Sequence, residues 1–176
     1  MICWRGKSSV NEPAPLSCAL ISRKRFAPEK AFAPKSSVTV KIPALTETFE
    51  TPRLLKELGL SYLLDWCADD QPFALNVPGM MSVPYSLEVN DITMCVGKSL
   101  AGEDFCQMII DQFDQLYKES EQSGRVMALC LHPFVSNQPH RQKYLERALE
   151  YIARHHSVWL TTSDEIAAHY AANYLR

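Results

Sequence analysis

The pattern of apolar and polar residues predicts an ordered region from about residue 51, in which helices alternate with short strands. Apolar residues recur at helical spacing in several segments, and Gly, Pro, Asn or Thr mark the segment ends. Asn137 is predicted to cap the helix at 139–154, and Thr162 with Glu165 to form a capping box for the helix at 163–174. The predicted apolar face of the helix at 102–122 consists of Phe105, Met108, Ile109, Phe113, Leu116 and Tyr117. Such alternation indicates crossover connections, a largely parallel sheet and an α/β barrel rather than a sandwich. The predicted order is helix 52–58, strands within 60–66 and 81–91, helix 102–122, strand 126–131, helix 139–154, strand 157–162 and helix 163–174.

An unbroken apolar run from Val126 to Leu131 leads directly into His132. A continuous run of this kind is typical of a strand buried on both faces. Pro133 keeps His132 extended and ends the strand. His132 is therefore expected at the carboxyl end of a buried strand, where α/β proteins place their chemistry. We interpret it as a candidate catalytic residue; the alternative is a strand-end histidine hydrogen-bonded to a neighbouring loop.

Polar side chains also follow the two preceding strands. If the strands are parallel, these side chains converge with His132 on one face. A carboxylate beside an imidazole fixes its tautomer and favours its protonated form, which can give a proton to a leaving amine. A tryptophan there would line a pocket for a sugar or a small ring. The alternative is that residues 65–72 form a solvated acidic loop with one buried tryptophan. The candidates are Asp65, Trp66, Asp70, Asn90 and Asp91.

Composition indicates one globular domain and divides the chain near residue 45. The 176 residues are 47% hydrophobic and 22% charged, with a net charge of −2, so no nucleic-acid partner is expected. No segment approaches the roughly 18 apolar residues of a membrane span. Residues 1–45 carry eight Lys and Arg against two Glu, whereas residues 46–176 carry ten against eighteen Asp and Glu.

Residues 1–45 are predicted to be a basic, disordered arm, because they have no sustained period and hold five of the eleven prolines. The same composition fits an organelle transit peptide or a wrongly predicted gene start, and the sequence leaves these alternatives open. The six cysteines form no C-x-x-C and no zinc-finger spacing. Reduced thiols, and therefore a cytoplasmic protein, are expected.

Five segments together resemble the carboxyl-terminal half of the polysaccharide deacetylase (NodB-type) family, in its allantoinase-like branch. They are T-E-T-F-E-T-P-R-L-L-K-E-L-G, Y-L-L-D-W-C-A-D-D-Q-P, S-V-P-Y-S-L-E-V-N-D, L-C-L-H-P-F-V-S-N-Q-P-H-R and V-W-L-T-T-S-D-E-I-A. The resemblance covers roughly residues 46–172. It implies an α/β fold that is a partial, incomplete version of the distorted (β/α) barrel of glycoside hydrolases and deacetylases.

The resemblance also implies a hydrolase of non-peptide C–N bonds, acting on an N-acetyl sugar or a cyclic ureide. The family's L-x-L-H motif is matched by Leu129–His132, which implies that His132 is the general acid. An Asp/Trp strand of the family is matched by Asp65 and Trp66, which implies that Asp65 orients His132. The implied substrate-binding residues are Trp66, Asp70, Asn90 and Asp91.

The sequence departs from the family in one respect. It contains no T-F-D-D motif for the catalytic base and no H-x-x-x-H pair for a metal. We therefore expect a truncated enzyme with no metal or other cofactor in this chain. Zinc would belong to a full-length parent. About four strands cannot close a barrel, so a second copy or another partner is expected to cover the open edge. The alternative is an inactive remnant or interaction module that keeps part of the fold.

Overall fold

A computed structural model describes residues 2–4 and 45–175 of the chain. These residues form an α/β arrangement of long helices and short strands. The strands are β1 (Ile2–Trp4), β2 (Tyr62–Leu63), β3 (Phe73–Ala74), β4 (Met81–Ser82), β5 (Val126–Met127) and β6 (Val158–Leu160). The α-helices are α1 (Thr51–Glu57), α2 (Gly102–Glu119), α3 (Pro133–Ser136), α4 (Pro139–Ala153) and α5 (Ser163–Asn173), and a π-helical turn spans Ile92–Gly97.

The described strands form two three-stranded sheets, in the orders β2-β4-β3 and β5-β1-β6. β2 is parallel to β4, as the alternation of helices and strands predicts. The segment that follows β4 is also parallel to the segment that follows β5, because Asn90 and Cys130 form an isolated parallel bridge. β1 is antiparallel to both β5 and β6, and β3 is antiparallel to β4. The sheets are therefore mixed, and the prediction of a largely parallel sheet is correct only in part.

The antiparallel strand β3 arises from a hairpin that the sequence analysis missed. The connection to β4 holds Pro78 and Gly79, and Gly79 has a φ of +71° that favours glycine. Hydrogen bonds from Leu75 N–H to the Met80 carbonyl (3.0 Å) and from Met80 N–H to the Val77 carbonyl (2.9 Å) close the turn. The chain therefore reverses here instead of crossing over.

Helices α2 and α4 pack against each other and form the larger part of the core. The predicted apolar face of α2 is confirmed at its centre, where Phe105, Ile109 and Phe113 are buried. Ala148 and Ile152 are buried on the facing side of α4. Interlocking of apolar side chains from two long helices gives the region that carries the site a rigid support.

The ends of two helices show which local signals decide the boundaries. Thr162 and Glu165 form the predicted capping box, and α5 begins at Ser163 as expected. The predicted N-cap of α4 at Asn137 is wrong, because Asn137 ends the short helix α3 and Gln138 is the extended residue before Pro139. Helix α3 itself was not predicted.

Apart from residues 2–4 and Leu45, the arm predicted at 1–45 lies outside the described residues. Residues 2–4 form β1, which lies between β5 and β6 in the sheet. In the part of the chain that the structure describes, the helices are too short or too polar for any of them to cross a membrane.

Candidate active site around His132

The backbone at His132 is fixed by the junction between a strand and a helix. His132 is extended, with φ −114° and ψ 119°, and is the N-cap of α3. Pro133 favours this conformation in the residue before it and suits the first position of a helix. The N–H groups of Val135 (2.8 Å) and Ser136 (3.0 Å) donate to the His132 carbonyl. The imidazole therefore projects from a backbone held on both sides.

The carboxylate of Asp91 contacts His132 at two points. Asp91 Oδ1 lies 2.7 Å from Nδ1 of the imidazole, and Asp91 Oδ2 accepts the backbone N–H of His132 at 2.7 Å. The hydroxyl of Ser136 donates to Oδ2 at 2.5 Å. Asp91 itself is 0% exposed. A buried carboxylate with three donors is well satisfied as an anion.

This arrangement assigns different roles to the two imidazole nitrogens. An ionised carboxylate can only accept, so Nδ1 carries the proton that is donated to Asp91. Nε2 is then the nitrogen left for an incoming molecule, and the His132 side chain is 30% exposed. A histidine held in this way can keep or release a proton at Nε2.

Parallel pairing brings Asp91 to His132. The bridge between Asn90 and Cys130 aligns their two segments, and Asp91 N–H donates to the Cys130 carbonyl at 3.1 Å. The Asn90 side chain accepts the backbone N–H of Ile92 at 3.2 Å, which fixes the turn that follows. Asp91, which was predicted to contact substrate, is buried, and its carboxylate is hydrogen-bonded to His132. Asn90 is also buried, and its side-chain oxygen binds the backbone.

Asp65 was predicted to orient His132, and the structure shows that the Asp91 carboxylate contacts the imidazole. Asp65 and Trp66 instead line a cleft of about 440 Å³ together with Glu47 and Phe49. Burial, and then the negative charge of Asp65, raise the pKa of Glu47, while the Trp66 indole lowers it. The negative charge of Asp65 thus opposes the ionisation of Glu47 in this partly apolar cleft.

Asp70 lies in a second cleft of about 390 Å³, lined also by Tyr85 and Gln112. Burial, followed by the negative charges of Asp69 and Glu119, raises the pKa of Asp70. The predicted substrate-binding residues thus fall into separate places: Trp66 in the first cleft, Asp70 in the second, and the two residues 90 and 91 beside His132. His132 is not among the residues that line these two clefts.

Ser136 is the residue of the His132 site that sequence reasoning missed. A helix directs its side chains toward its N-terminus, so the fourth residue after an N-cap can reach back to that end. The signal was Pro133, which suits a first helical position as well as a strand end. Taken as a helix start, it places the Ser136 hydroxyl beside His132.

An exposed aromatic ring lies beside the imidazole. The rings of His132 and Phe134 have centroids 5.7 Å apart and an interplanar angle of 64°. Phe134 is 68% exposed, and Leu131 and Ile92 are also exposed. This surface would reduce the access of water around a molecule that contacts Nε2.

A zinc centre does not fit the described residues. Within 2–4 and 45–175 there is no group of three or more His, Cys, Asp or Glu side chains that could hold a metal ion. The carboxylate nearest His132, that of Asp91, is already bonded to three donors.

Known proteins resemble the chain in sequence and in fold. No protein-family model matches it. A protein named as a polysaccharide deacetylase from Schizosaccharomyces pombe is 31% identical over 137 residues, covering 69% of this chain and 43% of that protein. The crystal structure of PuuE allantoinase superposes with a TM-score of 0.66 and 32% identity, covering 74% of this chain and 45% of that chain. A protein from Pseudomonas aeruginosa PAO1, described as a polysaccharide deacetylase, superposes with a TM-score of 0.66 and 30% identity, covering 73% and 45%.

These superpositions confirm the predicted fold class, a partial α/β barrel of the deacetylase type. The described strands form open sheets, and the chain spans less than half the length of these relatives. In sequence and in fold, the chain is similar to proteins described as polysaccharide deacetylases and to PuuE allantoinase over the part of each that it covers.

Proposed function

We propose that the chain carries the proton-donating half of an active site that hydrolyses a non-peptide C–N bond. The observation that supports this proposal is the pairing of His132 Nδ1 with the buried Asp91 carboxylate at 2.7 Å, which leaves Nε2 of a side chain that is 30% exposed for contact with a substrate. The substrate class is an N-acyl sugar or a cyclic ureide, the groups named by the activities of the relatives.

In the proposed reaction, a water oxygen forms a bond to the acyl or ureide carbonyl carbon, and the C–N bond then breaks. The proton lost by the water passes to a base. The proton on Nε2 of His132 passes to the departing nitrogen, which prevents expulsion of an amide anion. The Asp91 carboxylate stabilises the imidazolium before this transfer and keeps the ring in place after it.

We propose that the base lies outside the described residues. The sequence has no T-F-D-D motif, and the carboxylate beside His132 is already bonded to three donors. A second copy of the chain or another polypeptide that covers the open sheets would supply it. Cys95 and Cys106 are buried free thiols, and we propose a reducing, cytoplasmic setting for the chain.

A non-catalytic binding module is the second candidate function. It is favoured by the coverage of only 43–45% of the relatives and by the missing base motif. In this case the His132 site would keep its geometry because the hydrogen bonds of Asp91 stabilise the fold.

Hydrolysis assays on chitooligosaccharide and on allantoin separate these two functions. Wild type is compared with His132→Ala and with His140→Ala, a control that changes an exposed histidine in the first turn of α4. Loss of hydrolysis only in His132→Ala supports the hydrolase and means that a base is present in the chain as purified. No hydrolysis by wild type, with cooperative unfolding retained, refutes activity of this chain and supports the binding module.

A further inference from the structure

Ser136 holds one end of the carboxylate that orients His132. Its hydroxyl donates to Asp91 Oδ2 at 2.5 Å, and Ser136 is 5% exposed. The other two donors to this carboxylate both belong to His132, through its backbone N–H and its Nδ1. Among the described residues, Ser136 is therefore the donor to Asp91 that is independent of His132.

This independence matters for the protonation of the pair. A buried carboxylate stays ionised when donors compensate for its lost hydration. A neutral carboxylic acid would have a hydroxyl of its own and could donate to Nδ1, which would reverse this hydrogen bond. The imidazole would then carry its proton on Nε2 in its neutral form, and the nitrogen facing solvent would change from acceptor to donor.

We propose that Ser136 is a positioning residue that keeps Asp91 ionised and thereby fixes neutral His132 in the tautomer protonated at Nδ1. The geometry supports this reading because a serine hydroxyl beside an anionic oxygen donates, so it favours the ionised form of the acid. The consequence for catalysis rests on the proposed function. The consequence for the tautomer does not, since it follows from the three hydrogen bonds alone.

The test is nitrogen-15 NMR of the imidazole in the full chain, with the His132 signals assigned by their loss in His132→Ala. In wild type, Nδ1 carries a hydrogen-bonded proton at a pH where the ring is neutral. In Ser136→Ala we expect the ratio of the Nδ1-H to the Nε2-H tautomer to fall by roughly tenfold or more, the effect of one hydrogen bond to a charged group. An unchanged ratio in folded Ser136→Ala refutes the proposal.

Two further variants separate hydrogen bonding from packing. Ser136→Cys keeps a side chain of similar shape but has a weak donor, so it should resemble Ser136→Ala if the hydrogen bond is responsible. A wild-type ratio in Ser136→Cys shows a packing role and overturns the proposal. Ser120→Ala is the matched control, because Ser120 is also buried and its hydroxyl donates to the Tyr117 carbonyl at 2.6 Å at the end of α2. It should leave the ratio unchanged.

Kinetics provide a second measurement if the chain hydrolyses either substrate. We expect Ser136→Ala to lower kcat by roughly tenfold or more with little change in KM, because proton transfer and not substrate contact is affected. A change in KM alone contradicts a positioning role. If no hydrolysis is found, the tautomer ratio still tests Ser136, so failure of the proposed function and failure of this inference are distinguishable.

Discussion

Replacement of Asp91 by alanine measures how strongly the buried carboxylate organises the site. Asp91 is 0% exposed and accepts hydrogen bonds of 2.7, 2.7 and 2.5 Å. A hydrogen bond to a charged group contributes about 1.5–3 kcal/mol, and breaking a buried charged network costs about 3–5 kcal/mol. We expect Asp91→Ala to lower the free energy of unfolding by about 3–5 kcal/mol, a large share of the roughly 5–15 kcal/mol of a typical domain.

A graded variant separates the loss of the whole side chain from the loss of its charge. Asparagine keeps one acceptor oxygen, which can still meet the two donors that bond Oδ2. Its amide nitrogen would face Nδ1 of His132, so the hydrogen bond that carries the charge is lost. We expect Asp91→Asn to lie between wild type and Asp91→Ala, with a loss of about 1.5–3 kcal/mol.

The assay is urea unfolding at neutral pH, followed by circular dichroism. Asp111→Ala is the matched control, because that carboxylate is exposed and accepts a hydrogen bond from Gln107 in the same helix. Its effect should stay within about 0.5 kcal/mol. A loss below about 1 kcal/mol in Asp91→Ala would refute the view that this network holds the site together.

Three further outcomes are expected. Gly102→Ala places a Cβ 2.7 Å from Cδ2 of Tyr144, so it should force α2 and α4 apart and cost about 1–3 kcal/mol in thermal unfolding; an unchanged midpoint contradicts this contact. Burial and the charge of Asp65 raise the pKa of Glu47 in the folded chain above its ordinary value of 4.5. As pH rises, the unfolded chain therefore loses the Glu47 proton first, and the free energy of unfolding falls between pH 4.5 and the raised pKa. Glu47→Gln should lack this fall in urea unfolding curves collected across the interval, and an identical pH profile in both proteins contradicts it. The purified chain, dialysed after incubation with zinc, should retain no stoichiometric zinc by elemental analysis, and retained metal refutes the expectation.

The elements that could be predicted from sequence are those whose signal is local. The apolar spacing of Phe105, Ile109 and Phe113 is sufficient for α2, and Thr162 with Glu165 is sufficient for the start of α5. Strands β1 and β3 depend on partners elsewhere in the chain. The three residues Ile2–Trp4 carry no pattern that indicates pairing with β5 and β6.

The identity of the carboxylate beside His132 could not be predicted, although its existence could. Asp65 and Asp91 both follow strand segments, and their sequence positions do not say which segment is the neighbour of the one leading to His132. In the structure, β2 pairs with β4, and the segment after β4 pairs in turn with Cys130 through Asn90. Asp65 is therefore one strand further away than Asp91. Strand order, which is a tertiary property, decided between two chemically equal candidates.

The position of the hydrogen bonds around His132 has a consequence for how the site can be studied. His132, Asp91 and Ser136 belong to segments joined by backbone hydrogen bonds between residues 89 and 136, and, among the described residues, the donors to the Asp91 carboxylate all lie in that interval. The proton-donating pair therefore needs no residue from the additional length of the relatives in order to form. The base does need such a residue under the proposed function. The structure of the pair and hydrolysis are thus separable properties, so the tautomer of His132 can be measured whether or not the purified chain hydrolyses either substrate.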